Sequence, residues 1–163
     1  MSDTASQQQG TTPDLITADL VIADLVAADK GDATRQLADT LVAAGRVTDR
    51  ERFLADVAAR EEQMATGIPG GIGLPHARSE AVTVPSLAVG RVVSGERVDF
   101  GAPDGPANLV FLIAAPTTGE SDHLTILAAL ARKLVHASFR QSLLEAPDAA
   151  SVASTVLREV YGR

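Results

Sequence analysis

A chain of 163 residues with a formal net charge of −7 and no cysteine has the length of one domain and enough mass to bury about two-thirds of its unfolded surface without staples. The missing cysteines exclude disulfides, thiolate catalysis and cysteine-ligated zinc, and they fit a reducing compartment. No apolar stretch reaches the roughly 18–20 residues of a membrane span, and an acidic chain with no Lys/Arg cluster and five aromatic residues carries no nucleic-acid footprint.

Residues 1–13 are rich in Ser, Thr and Gln and lack the basic and apolar regions of a signal peptide, so they read as a disordered tail ahead of a single domain at 14–161. The apolar, β-branched run from Leu15 to Leu25 holds a short strand. Asp29 then caps a helix that carries Leu37, Leu41 and Val42 on one face and stops at Gly45. Thr48 or Asp49 opens a second helix, with Phe53, Leu54, Val57 and Ala58 at helical spacing, that continues to about Met64.

From Thr66 to Gly73, four glycines and a proline in eight residues are incompatible with a helix interior. This segment reads as a loop feeding a short strand, Ile72 to Leu74. Pro75, which has no N–H, ends that strand's ladder and leaves His76 at the exit. Ser86 to Val93 is a strand and Arg97 to Phe100 a shorter one. Gly101 to Pro106 is turn-rich. Asn108 to Ala115 is a nearly continuous apolar run, expected as a central strand buried on both faces. After a loop at Pro116 to Glu120, Ser121 or Asp122 caps a helix from about His123 to His136 whose stripe is Leu124, Leu127, Leu130, Ala131 and Leu134. Ser138 to Leu144 and Ala149 to Tyr161 are further helices. The sum is an α/β domain of layered α+β character, a mixed sheet of about five strands flanked by helices on both faces.

Only three histidines occur. His76 follows a glycine-rich approach that permits close contact with a partner or an anion, and a neutral imidazole offers one free lone pair as a nucleophile. His123 opens a helix, where free N–H groups and the helix dipole favour anions. If the two meet, they form a pair suited to carrying a phosphoryl group. His136 lies thirteen residues beyond His123, about 20 Å along a helix; it is assigned to capping that helix's C-terminal dipole. Arg60, in R-E-E-Q-M-A-T-G, presents a planar fork that can neutralise phosphate oxygens. Glu61 is placed to brace it, and Thr66 to donate a hydroxyl to the phosphoryl group or to an imidazole nitrogen. Each of these residues also has an ordinary structural reading: a loop histidine, an early helix residue, a solvated helix-end arginine.

Other chemistries lack their signatures. No Gly-Lys-Ser/Thr follows G-I-P-G-G-I-G, so it is not a phosphate-binding Walker loop. The third glycine of a dinucleotide fingerprint is replaced by His76, and neither H-E-x-x-H nor G-x-S-x-G is present. A metal site on His76 and His123 would need Asp122 as a third ligand.

Taken together, R-E-x-x-x-x-T-G-I from Arg60 to Ile68, G-I-G-L-P-H-A-R around His76, D-F-G-A-P-D-G from Asp99 to Gly105, V-F-L-I-A-A-P ending at Pro116 and D-H-L-T-I-L-A-A-L-A around His123 resemble the type-2 EIIA domain of the phosphoenolpyruvate-dependent sugar phosphotransferase system, fructose/mannitol class. The resemblance spans about Leu15 to Val160. It implies a cytoplasmic phosphocarrier with no cofactor and no metal. In that family the histidine of the P-H motif, here His76, takes a phosphoryl group from phospho-HPr as a tele-phosphohistidine. It then passes the group to a cysteine of an EIIB domain and so indirectly to a membrane EIIC. The second active-site histidine corresponds to His123 and the arginine of the R-E motif to Arg60. Gly73 departs from the alanine common in the family. Two further readings stand beside fructose-type transport: a nitrogen-type regulatory EIIA that acts through partners, and a metal-dependent hydrolase using His76 and His123.

Overall fold

The computed structural model describes residues 14–117 and 128–161. The expected tail at 1–13, the helix start at Ser121 or Asp122, and His123 lie outside the described residues.

Among the described residues, six strands form one mixed sheet: β1 (Val21–Ile22), β2 (Gly67–Ile68), β3 (Ile72–Gly73), β4 (His76–Arg78), β5 (Ser86–Arg91) and β6 (Leu109–Ala115). The order is β1-β5-β6-β3-β2, with β4 also paired to β6. β5 and β6 run antiparallel, whereas β3 and β4 run parallel to β6 and β1 parallel to β5. Every residue of β5 and β6 is buried, the signature of strands covered on both faces.

Among the described residues the sheet is covered by helices α1 (Lys30–Ala43), α2 (Arg50–Gln63), α3 (Ala137–Glu145) and α4 (Ala149–Tyr161). Residues 128–134 are also helical. Neighbouring residues of β5 show the two layers, because successive side chains on a strand point to opposite faces. Gly90 faces Leu25 and Leu37, the α1 side. Arg91 reaches the other way and donates to the carbonyls of Leu143 and Ala146 at the end of α3, at 2.9 and 2.7 Å, and to that of Ala23 at 2.9 Å. A buried guanidinium so placed satisfies carbonyls that the helix end leaves open.

The helix starts follow from capping. Asp29 accepts from Asp32 N at 2.8 Å and Asp49 from Arg52 N at 3.1 Å, each satisfying a donor in the first turn. Gly45, just past α1, has φ 76°, the left-handed conformation that ends many helices.

Four sequence expectations are corrected. The segment from Thr66 to Gly73 is a hairpin and not a loop: Gly67 pairs with Gly73 and Ile68 with Ile72. Its turn places Gly70 and Gly71 at φ 104° and 79°, which only glycine adopts without strain, so these glycines shape a turn between strands. Pro75 interrupts the ladder and does not end it. Ile72 faces Leu109 and His76 faces Ile113, one unbroken offset against β6, so His76 opens β4 and does not stand at a strand's exit. The stretch from Arg97 to Phe100 makes a single bridge, Val98 to Ala107, too little for a strand. Finally, His136 does not end a helix at its C-terminal dipole. It occupies the N-cap position of α3 without a side-chain capping bond, because the chain resumes helical geometry almost at once after residue 134.

Candidate functional site

The hairpin β2–β3, strand β4 and the last turn of α2 converge on His76. The ring is half-buried, and both nitrogens are engaged. Nδ1 lies 2.9 Å from the Leu74 carbonyl oxygen. A carbonyl only accepts, so the imidazole hydrogen sits on Nδ1 and the lone pair is left on Nε2. Arg60 Nε donates to that same Nε2 at 3.3 Å. The two contacts agree on one tautomer, with Nε2 as the nucleophilic atom.

Arg60 is exposed in the last turn of α2. Its Nη1 donates to Gln63 Oε1 at 3.3 Å, an i,i+3 partner on the same helix face. The guanidinium is therefore anchored along one edge while its Nε meets the ring.

Among the described residues, the hydrogen bonds of Glu61 and of the Thr66 side chain do not go to His76. Glu61 Oε1 accepts from Thr66 Oγ1 at 2.7 Å and Oε2 from Thr66 N at 3.1 Å. Oε2 also pairs with Lys30 Nζ at 3.3 Å. Glu61 thus points away from Arg60, into the junction between α1, α2 and β2. The single hydroxyl hydrogen of Thr66 is given to Glu61.

Lys30, Gln63 and the Leu74 carbonyl were not singled out in the sequence. Gln63 carried a signal, three residues after Arg60 on one helix. The backbone carbonyl and Lys30, 31 residues before Glu61, carried none.

A groove beside the site does not reach the ring. It runs between α1 and α2, lined by Lys30, Thr34, Leu54, Ala58, Glu61 and Phe100. His76 is instead half-buried, with exposed Arg60 on its Nε2, a setting suited to meeting another macromolecule. Among the described residues there is no cluster of three or more His, Cys, Asp or Glu that could hold a metal, and no helix long and apolar enough to cross a membrane.

The domain is a mixed sheet flanked by helices with a histidine faced by an arginine, and comparison places it among the phosphoryl-handling domains of a sugar phosphotransferase system. The sequence profile described as "Phosphoenolpyruvate-dependent sugar phosphotransferase system, EIIA 2" matches residues 14–159, and the chain belongs to that family. A PTS system fructose-specific EIIA component of Haloferax volcanii is 46% identical over 132 residues, covering 80% of this chain and 84% of that one. A fructose-specific EIIABC component of Bacillus subtilis is 35% identical over 134 residues, 82% of this chain but only 21% of that much longer protein. Among solved structures, the nitrogen regulatory protein IIA-Ntr of Neisseria meningitidis superposes with a TM-score of 0.78 at 26% identity, over 87% of this chain and 96% of that one.

Proposed function

We propose that this chain is a cytoplasmic phosphocarrier of the sugar phosphotransferase system, fructose type, with His76 Nε2 as the atom that carries the phosphoryl group. The observation that carries the reading is the pairing of Nδ1 with the Leu74 carbonyl and of Nε2 with Arg60.

The donor is phospho-HPr. As its P–N bond breaks, the electron pair returns to the donor imidazole, while the Nε2 lone pair of His76 forms the new P–N bond. The Nδ1 hydrogen stays in place throughout. The ring gains positive character as the bond forms, so the Nδ1–H···O=C bond to Leu74 strengthens with the reaction. Arg60 moves from the ring nitrogen to the phosphoryl oxygens and spreads their charge. In the second step an EIIB cysteine takes the group and His76 recovers its lone pair. The family pattern assigns the second imidazole to His123, which lies outside the described residues. Glu61 and Thr66 support the phosphoryl site through the shape of the α2–β2 junction. No metal and no cofactor enters.

The test is incubation with phosphoenolpyruvate, EI and HPr, followed by intact mass under neutral-to-basic conditions. The expected result is a gain of one acid-labile phosphate that is absent in His76→Ala. Label retained on a histidine in His76→Ala overturns the assignment.

The likeness to the Neisseria nitrogen regulatory protein supports a second reading, a regulatory EIIA acting through phosphorylation-dependent partners. The higher identity to fructose-specific relatives, 46% and 35% against 26%, favours transport. Phosphoryl transfer onto an EIIB cysteine separates the two.

A further inference from the structure

The carbonyl that fixes the His76 tautomer is itself held from below. β3 and β4 bond to β6 on one side; for example, Ile113 N donates to the Pro75 carbonyl at 3.0 Å. Leu74 turns the other way. Its N–H donates to the Thr66 carbonyl at 3.1 Å, and its own carbonyl, beyond the end of β2, meets His76 Nδ1. Thr66 is thus the last residue of the hairpin to grip Leu74. Thr66 is in turn gripped through both its N–H and its hydroxyl by the two oxygens of Glu61.

The Glu61 side chain is only 10% exposed, and its one cationic partner among the described residues is Lys30, at 45%. A nearly buried carboxylate is costly unless it is paired and fully hydrogen-bonded, so its position depends on the ammonium and the two Thr66 donors together. The connection runs from Lys30 at the first turn of α1, through Glu61 and the Thr66 and Leu74 backbone, to the ring. Arg60 adjoins Glu61 on α2, so one junction sets both contacts of the imidazole.

We propose that Lys30 and Glu61 are positioning residues for the His76 nucleophile: through Thr66 and Leu74 they keep the Leu74 carbonyl on Nδ1 and the lone pair on Nε2. This rests on the reading of His76 as the phosphoryl acceptor. Neither residue touches the reacting atoms.

The experiment uses full-length protein labelled with 15N in histidine, unphosphorylated and under alkaline conditions where imidazoles are neutral. In the parent protein the His76 signals report hydrogen on Nδ1 and a bare Nε2. In Lys30→Met and Glu61→Gln the two nitrogen signals move toward each other as the second tautomer becomes populated. The maximal rate of phosphoryl uptake from phospho-HPr falls about tenfold, with KM for the donor within about twofold, because small misplacements of a reacting group act on the rate of the chemical step. Lys30→Arg, which keeps the charge, restores both readouts.

Ring signals and rates that stay at parental values in both variants, with only the melting temperature lowered, overturn the proposal and leave a structural ion pair. If Glu61→Gln does not fold, Lys30→Met on its half-exposed side chain carries the same decision. A parent protein that takes no phosphate overturns the carrier reading, and the ring signals then still decide whether the junction holds the tautomer.

Discussion

Arg60 Nε stands 3.3 Å from His76 Nε2, on the very atom that the Leu74 carbonyl leaves bare. In the proposed mechanism the guanidinium lies on the approach of an incoming phosphoryl group and exchanges the ring nitrogen for phosphoryl oxygens during transfer. Gln63, bonded to Nη1 at 3.3 Å, offers a pivot that keeps the arginine at the site during that exchange.

Arg60→Ala is expected to fold normally, since the side chain is exposed, and to lower the rate of phosphoryl uptake by about 10²-fold, the usual scale for removing one charge-stabilising donor. Arg60→Lys should recover only part of this, because an ammonium lacks the planar fork. Rapid-quench uptake of label from phospho-HPr measures both. Equal rates in parent and Arg60→Ala would remove Arg60 from the mechanism.

Gly73→Ala is expected to destabilise the fold by about 1–3 kcal/mol, the usual cost of overpacking a filled core. A Cβ at position 73 would collide with the Phe100 ring, and Phe100 is buried at 1% exposure. Phe100→Leu in the Gly73→Ala background should restore much of the loss. Urea unfolding of the two single variants and the double variant measures the coupling.

Asp49→Ala should cost about 1 kcal/mol by removing the cap of α2, whose side chain accepts from Arg52 N. Arg60 is carried by the other end of that helix, so phosphoryl uptake in the folded population should stay near the parental rate. A urea titration with a parallel uptake assay separates stability from function here.

What the sequence disclosed and what it withheld divide along physical lines. Asp29, Asp49 and Gly45 act through neighbours three or four residues away, and the caps and the helix stop were legible. The apolar run at β6 was legible because burial on both faces leaves no alternation to misread. The hairpin at Thr66–Gly73 was missed because glycine is read as a breaker. Here Gly67 lies against the Phe100 and Ala102 backbone, where an added Cβ would meet atoms at 2.5 to 2.8 Å, so its missing side chain lets that segment pack close against β2. His76 and Arg60 stood out as chemistry-bearing side chains in distinctive motifs, and the structure brings the two together. The partners of Glu61 did not stand out: local reasoning gave it to adjacent Arg60, whereas the fold gives it to Lys30 and Thr66. His136 went astray because one long stripe hid the break between residue 134 and α3.

Acid should weaken the fold through two exposed carboxylates. Asp24 is held below the ordinary carboxylate value of 3.8, first by the Ser94 backbone N–H and then by its hydroxyl, at 3.1 and 2.8 Å. Asp148 is lowered in the same way by the Ser151 N–H at the start of α4. A depressed folded-state value means that the unfolded chain binds the proton first as pH falls. The stabilisation is therefore complete above the ordinary carboxylate value and is lost as pH drops through the lower folded-state values. Asp24→Asn with Asp148→Asn keeps neutral acceptors in both places and removes the titration. Stability measured by urea unfolding from neutral pH down to about pH 3, around the ordinary Asp value, should fall less steeply in the double variant than in the parent. Parallel curves would mean that other carboxylates govern acid unfolding.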